Sequence, residues 1–129
     1  MGDGTEIGKD RGLGPAHEGA GHWMQQRYTA VGNLLLLAFL AFSLLMLPDH
    51  GYETLSKWLS GTVPALAIAL LLVSAFWHAR LGLTELINDY VHDAGNKFAA
   101  LLLLNFAAVG GTAFGIFALL RLVLGKGAA

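Results

Sequence analysis

Cysteine is absent from this 129-residue chain. That excludes disulfides, thiolate zinc sites and cysteine-ligated iron–sulfur clusters within it, so any redox centre must use histidine or belong to a partner. Charge is scarce as well: 13% of residues are charged, where soluble domains average about 25%. A formal net charge of −1 leaves no broad basic footprint for nucleic acid. No Arg/Ser-rich transit segment is visible. No apolar run reads as a secretory signal either, because the first starts late, behind a Gly-rich polar stretch, and lacks a small-residue cleavage motif. One domain is expected at this length.

What is present is apolar: 55% of the residues are hydrophobic. Three runs are long enough to cross a bilayer, which takes roughly 20 apolar residues; they extend from Tyr28 to Leu47, Thr62 to Leu86 and Phe98 to Leu124. The expected fold is an all-α membrane protein with transmembrane helices at about 28–47, 62–90 and 98–124, forming a domain over 22–129 behind a polar, flexible tail over 1–21. Three spans offer little volume for a pore, so an accessory or anchor subunit is the expected class. His22-Trp23-Met24-Gln25-Gln26-Arg27-Tyr28 has the aromatic and basic composition of a membrane interface. Pro48-Asp49-His50-Gly51 is turn chemistry that stops the first helix. Tyr52 to Ser60 reads as a short surface helix with Tyr52, Leu55, Trp58 and Leu59 on one side. Pro64 is tolerated in the first turn of the second span. Gly111-Thr112-Ala113-Phe114-Gly115 in the third is a GxxxG packing face. Basic residues divide four (Lys9, Arg11, Arg27, Lys97) to three (Lys57, Arg121, Lys126) between the two sides, a slight preference for an inside N-terminus.

The chemistry concentrates on the second span. At 100° per residue, Ser74, His78, Gly82, Glu85 and Asp89 fall on one face of an otherwise Leu-, Ala- and Val-rich helix. A histidine at membrane depth is costly and needs a partner. Two readings fit His78: a hydrogen bond to a neighbouring helix, or a haem ligand with one ring nitrogen on iron. In the second, Gly82, one turn away, leaves room for a flat macrocycle. A low-spin b haem takes two axial histidines, and His17, His22, His50 and His92 all fall in tails, turns or interfaces, so the second would come from another chain. Asp89-Tyr90 lies roughly 16 Å further along the axis. It is either an interfacial anchor pair or a quinone site, in which a neutral phenol donates to a quinone carbonyl and the carboxylate orients it or relays protons. Arg80 points about 200° from His78 and would meet an acid of another chain or, after helix distortion, a haem propionate. Asn105 is expected to bond a neighbouring helix, and His92 and Asp93 to cap or contact at the interface.

The run His78-x-x-x-Gly82-x-x-x-x-x-x-Asp89-Tyr90-Val91-His92, together with His22-Trp23-x-x-Gln26-Arg27-x-Thr29-Ala30-Val31, resembles the hydrophobic membrane-anchor family of succinate dehydrogenase, respiratory complex II, over roughly residues 20–125. The resemblance implies that His78 is one axial ligand (the metal-binding residue) of a haem b shared with a second anchor chain of cytochrome b556 type. It implies that Tyr90 binds ubiquinone, that Asp89 is its acidic neighbour and that Arg27 lies near the haem propionates and quinone. It further implies docking of an iron–sulfur subunit and an FAD-bearing flavoprotein subunit at the inside face of a bacterial inner membrane, with FAD and iron–sulfur clusters only in those partners. No residue of this chain is expected to be catalytic, and the isolated chain is expected to be inactive. Competing expectations are the anchor of a quinol:fumarate reductase, a small ion- or proton-translocating subunit using Glu85 and Asp89, and a structural assembly factor.

Overall fold

The computed structural model describes residues 16–125. Among them are four helices: α1 (Ala16–Leu45), α2 (Tyr52–Leu59), α3 (Thr62–Tyr90) and α4 (Ala94–Gly125). Segments of α1, α3 and α4 are long and apolar enough to cross a membrane, so the chain is an all-α, multi-pass membrane protein. Expectations that fall on residues 1–15 and 126–129, including Lys9, Arg11 and Lys126, lie outside the described residues.

The first helix begins earlier than the apolar pattern alone suggests. Ala16 to Gly21, taken with the tail in the sequence reading, and the His22–Tyr28 segment are continuous with α1. No proline or turn pair interrupts the chain between Ala16 and Leu45, and Met24-Gln25-Gln26-Arg27 is a run of strong helix formers. The helix therefore propagates from the apolar run into the polar one. At the other end His50 Nε2 lies 3.1 Å from the Leu44 carbonyl, giving a partner to one of the carbonyls a helix end leaves open. Asp49 Oδ1 accepts the Gly51 N–H at 2.8 Å. That bond, followed by one from Thr54, holds the Asp49 carboxyl below the usual carboxylate range.

Short α2 carries Glu53 in its first turn and Lys57 in its last, each matching the helix dipole. Trp58 Nε1 donates to Ser43 Oγ of α1 at 2.8 Å. Leu55, Trp58 and Leu59, expected to share one side with Tyr52, are each partly buried. Tyr52 is not: it is 85% exposed, and buried Ser56 takes the inner position. Tyr52 is the first residue of the helix, one turn short of the segment that packs against α3 and α4.

Helix α3 is the centre of the molecule. Both α1 and α4 pack along it, antiparallel, and they do not pack on each other. Along the α3–α4 seam the GxxxG face does what its spacing suggests. A Cβ on Gly111 would lie 2.5 Å from Phe76 Cε1, and one on Gly115 would lie 3.0 Å from Leu72 Cδ2. The two glycines are therefore the seats of two α3 side chains. Helix α4 begins at Ala94, a turn before the apolar run at Phe98, because Asp93 Oδ2 accepts the Asn96 N–H at 2.9 Å and so satisfies a donor of the first turn.

Only Ala67, Leu81 and Ser56 are buried among the described residues, while Phe42, Leu103 and Phe114 are each about two-thirds exposed or more. A soluble protein could not leave so much apolar area in water. In a bilayer that area costs nothing, since lipid tails are as apolar as leucine, and helix association rests on packing and interhelical hydrogen bonds.

Candidate functional site

The two seams of α3 are chemically different. The face that carries Ser74, His78, Gly82 and Glu85 meets α1. Opposite it, α1 presents its own polar stripe of His22, Gln26, Thr29 and Asn33, spaced at helical intervals that keep them on one side. Sequence reasoning centred on α3 misses this second stripe. Its i, i+4, i+7, i+11 spacing is the signal that marks it.

His78 is half-buried in this seam, and its Nδ1 lies 2.9 Å from Thr29 Oγ1. The Thr29 hydroxyl also lies 2.8 Å from the Gln25 carbonyl and 3.1 Å from the Gln26 carbonyl. A hydroxyl has one proton, and carbonyls can only accept. With that proton given to the carbonyls one turn back, Thr29 accepts at the third contact and His78 Nδ1–H donates. A neutral imidazole protonated on Nδ1 carries its free lone pair on Nε2. The two readings of His78 left open by the sequence are thus compatible, because the helix-to-helix bond uses one ring nitrogen and frees the other. One turn deeper, Ser74 Oγ donates to the Thr29 carbonyl at 3.4 Å. On the flank of the seam Trp77 Nε1 donates to Gln25 Oε1 at 3.3 Å.

Gly82 serves a different purpose from the one its spacing suggests. The Gln26 amide lies over it, with Nε2 3.3 Å from where a Cβ would stand. The space beside His78 is therefore taken by a side chain of α1. Gln26 Oε1 and, one turn beyond Thr29, Asn33 Oδ1 are buried acceptors with no donor among the described residues. Beside Gln26 a cavity of about 460 Å³ opens between the helices, lined by His22, Trp23, Gln26, Leu81, Gly82 and Glu85.

The remaining expected site residues do not converge on this cavity. Arg27 is exposed on α1, its guanidinium 5.2 Å from the centre of the Trp23 ring. It reaches the cavity only through Trp23, which lines it. Asp89 and Tyr90 are exposed at the end of α3. Tyr90 borders a shallow cleft with Leu86, Ile87 and Val91. Among the described residues no three His, Asp or Glu side chains come together as a chelating group. A haem asks less of one chain than a chelated ion does, namely a single neutral imidazole with a free nitrogen. His78, with one ring nitrogen on Thr29, fits that donor chemistry.

Arg80, which the sequence left without a role, belongs to the other seam. Its Nε donates to Asn105 Oδ1 of α4, whose own Nδ2 is tied to the Leu101 carbonyl at 2.8 Å. Its guanidinium lies 5.0 Å from the centre of the Trp77 ring. The 200° between His78 and Arg80 thus separates the two flanking helices, His78 meeting α1 and Arg80 meeting α4.

Three apolar spans with a histidine bonded across one seam define the class, a multi-pass membrane protein. Its family follows from the sequence: the succinate dehydrogenase/fumarate reductase transmembrane subunit family matches residues 1–112, and the chain belongs to that family. It is 26% identical over 87 residues to a succinate dehydrogenase hydrophobic membrane anchor subunit of Rickettsia bellii, covering 67% of this chain and 70% of that one. With a protein of the same description from Rickettsia conorii it shares 29% over 88 residues, again 67% and 70% of the two chains. No solved structure matches it. The chain is therefore a membrane anchor subunit of this family, whose relatives are subunits of an oxidoreductase complex.

Proposed function

We propose that this chain anchors a succinate:ubiquinone oxidoreductase in a bacterial inner membrane, that His78 would be its ligand to a b haem, and that it contributes one wall of the ubiquinone site. The observation that carries the reading is the Thr29–His78 bond, which leaves Nε2 of a membrane-depth imidazole available. In this reading a second anchor chain would supply the other histidine. An iron–sulfur subunit and a flavoprotein dock at the Asp89–Tyr90 end, which faces inside with the N-terminus. The haem, when bound, is a one-electron store beside the quinone path. Both curated relatives are succinate dehydrogenase subunits, which favours succinate oxidation over the reverse reaction.

The residues of this chain divide the work by position. His78 is oriented by Thr29 for metal binding. Tyr90, exposed at the helix end, donates its phenol proton in a hydrogen bond to a quinone carbonyl, which polarises that carbonyl toward reduction. Reduction of a quinone takes up two electrons and two protons. Asp89, adjacent and exposed, connects that site to protons from water. Arg27, stacked on Trp23 at the rim of the first cavity, supplies fixed positive charge on the same side of the membrane.

Succinate-driven ubiquinone reduction by the complex that copurifies with this chain tests the reading. Tyr90→Phe is expected to lower turnover with assembly and haem absorbance intact, and His78→Leu to lose the b-type absorbance. An assembled complex without succinate:quinone activity, or a His78→Leu complex with an unchanged haem spectrum, contradicts it.

A further inference from the structure

Arg80 carries a charge to the middle of the membrane. Trp77, on which its guanidinium stacks, is fifteen residues from the first residue of α3 and thirteen from the last, or roughly 22 and 20 Å along the axis. Side chains on a helix lean toward its N-terminus, and the stacking on Trp77 together with the bond to Asn105 of α4 fixes that direction. The guanidinium thus points away from the nearer, Tyr90 end of the helix, opposite to the course a snorkelling arginine takes. Lipid phosphates lie beyond a hydrocarbon half-thickness of about 15 Å and do not reach it.

Within the chain its needs are only partly met. One N–H goes to Asn105, one ring lies beneath it, and no carboxylate reaches it among the described residues. A guanidinium has five donors, and an unmatched charge at this depth is among the costliest arrangements a membrane protein can hold. Beside it lies a cavity of about 470 Å³ between α3 and α4, bordered by Val73, Trp77, Arg80, Asn105, Val109 and Ala113. Apart from Arg80, Asn105 and Thr112 its lining is apolar, and Val109 and Ala113 at its rim are exposed. The shape and composition suit a packed helix, and the charge requires an anion within it.

Among the described residues, a second copy of this chain has no acid placed to provide that anion. Helix α4 contains no acid, and the acids of α3, Glu85 and Asp89, sit on its opposite face and toward its end. The only acid of α1 is Glu18, near its start. No carboxylate of the described chain lies at the depth of Trp77. We propose that the groove between α3 and α4 receives a transmembrane helix of a different subunit, which places an Asp or Glu side chain against the Arg80 guanidinium at mid-membrane. The pairing is bidentate by the geometry of the two groups, and it fixes the depth and rotation of the partner helix. It stands on the chain being a membrane subunit of a larger complex and is independent of haem or quinone binding.

The test uses the assembled complex in native membranes. Val109 is replaced by the photoreactive residue p-benzoylphenylalanine, the membranes are irradiated and the adduct is mapped by mass spectrometry. The expected product joins this chain to a membrane-spanning segment of another subunit that carries Asp or Glu within one helical turn of the adduct. Adducts confined to lipid, to a second copy of this chain, or to a segment with no acid overturn the proposal. Arg80→Met is then expected to reduce recovery of that subunit with the tagged chain at least tenfold, Arg80→Lys less, and changing the mapped carboxylate to its amide in the Arg80→Met background is expected to restore recovery. Wild-type recovery with Arg80→Met, or no restoration by the amide, also overturns it.

Discussion

Thr29→Val isolates the claim on which the site rests. Valine matches threonine in shape and in β-branching, so α1 keeps its packing and loses only the hydroxyl. In the tautomer protonated on Nδ1, the His78 N–H, whose nitrogen lies 2.9 Å from Thr29 Oγ1, is then without an acceptor. A buried donor left unpaired costs about 1–3 kcal/mol, and each 1.4 kcal/mol corresponds to about tenfold. His78 is half-buried rather than enclosed, which puts the effect toward the lower end. Loss of an outer partner to a metal-ligating histidine costs roughly 10–100-fold in metal affinity as a rule. Both routes converge on about a tenfold loss of haem retention. Transfer of haem from the purified complex to excess apomyoglobin reads this directly as a rate, without recourse to turnover. Thr29→Ser, which returns the acceptor, is expected to recover most of the loss. Wild-type haem retention in Thr29→Val, alongside haem loss in His78→Leu, refutes the tautomer argument while leaving the ligand in place.

Three further outcomes follow from the packing and the turns. Gly111→Ala puts a methyl 2.5 Å from the Phe76 ring and is expected to lower thermal stability of the complex by about 1–3 kcal/mol. Gly110→Ala, with nothing within 4 Å, is expected to be neutral or stabilising, so equal effects of the two would deny that the seam is seated at Gly111. Asp93→Ala removes the acceptor for the Asn96 N–H and is expected to fray the start of α4 at a cost of about 0.5–2 kcal/mol, seen as faster amide exchange at residues 94–97. The Asp49 carboxyl is held below its ordinary range, first by the Gly51 N–H and then by Thr54. Its contribution to the turn is therefore present above the unfolded value and lost as pH falls through the lowered folded one. The Gly51 amide resonance is expected to move on acidification in that window, and to stay fixed in Asp49→Asn.

The sequence by itself determined the spans, the turns and the faces. Twenty apolar residues make a span in any fold, Pro48-Asp49-His50-Gly51 makes a turn from its own side chains, and a 3.6-residue period fixes that Ser74, His78, Gly82 and Glu85 share one side while Arg80 faces another. These are local properties, set by a few neighbouring residues and the bilayer. The start of α1 was less legible, because a helix extends into polar residues wherever nothing breaks it, and hydropathy marks only its apolar part. What faces each side of α3 was decided by tertiary structure alone. That α1 covers the histidine and α4 the arginine, that Thr29 bonds the imidazole and that Gln26 fills the space over Gly82 all depend on which helices meet and in what register. In a membrane that choice is made by small-residue contacts and interhelical hydrogen bonds between residues some fifty positions apart, such as Thr29 and His78, and no periodicity within one helix records it.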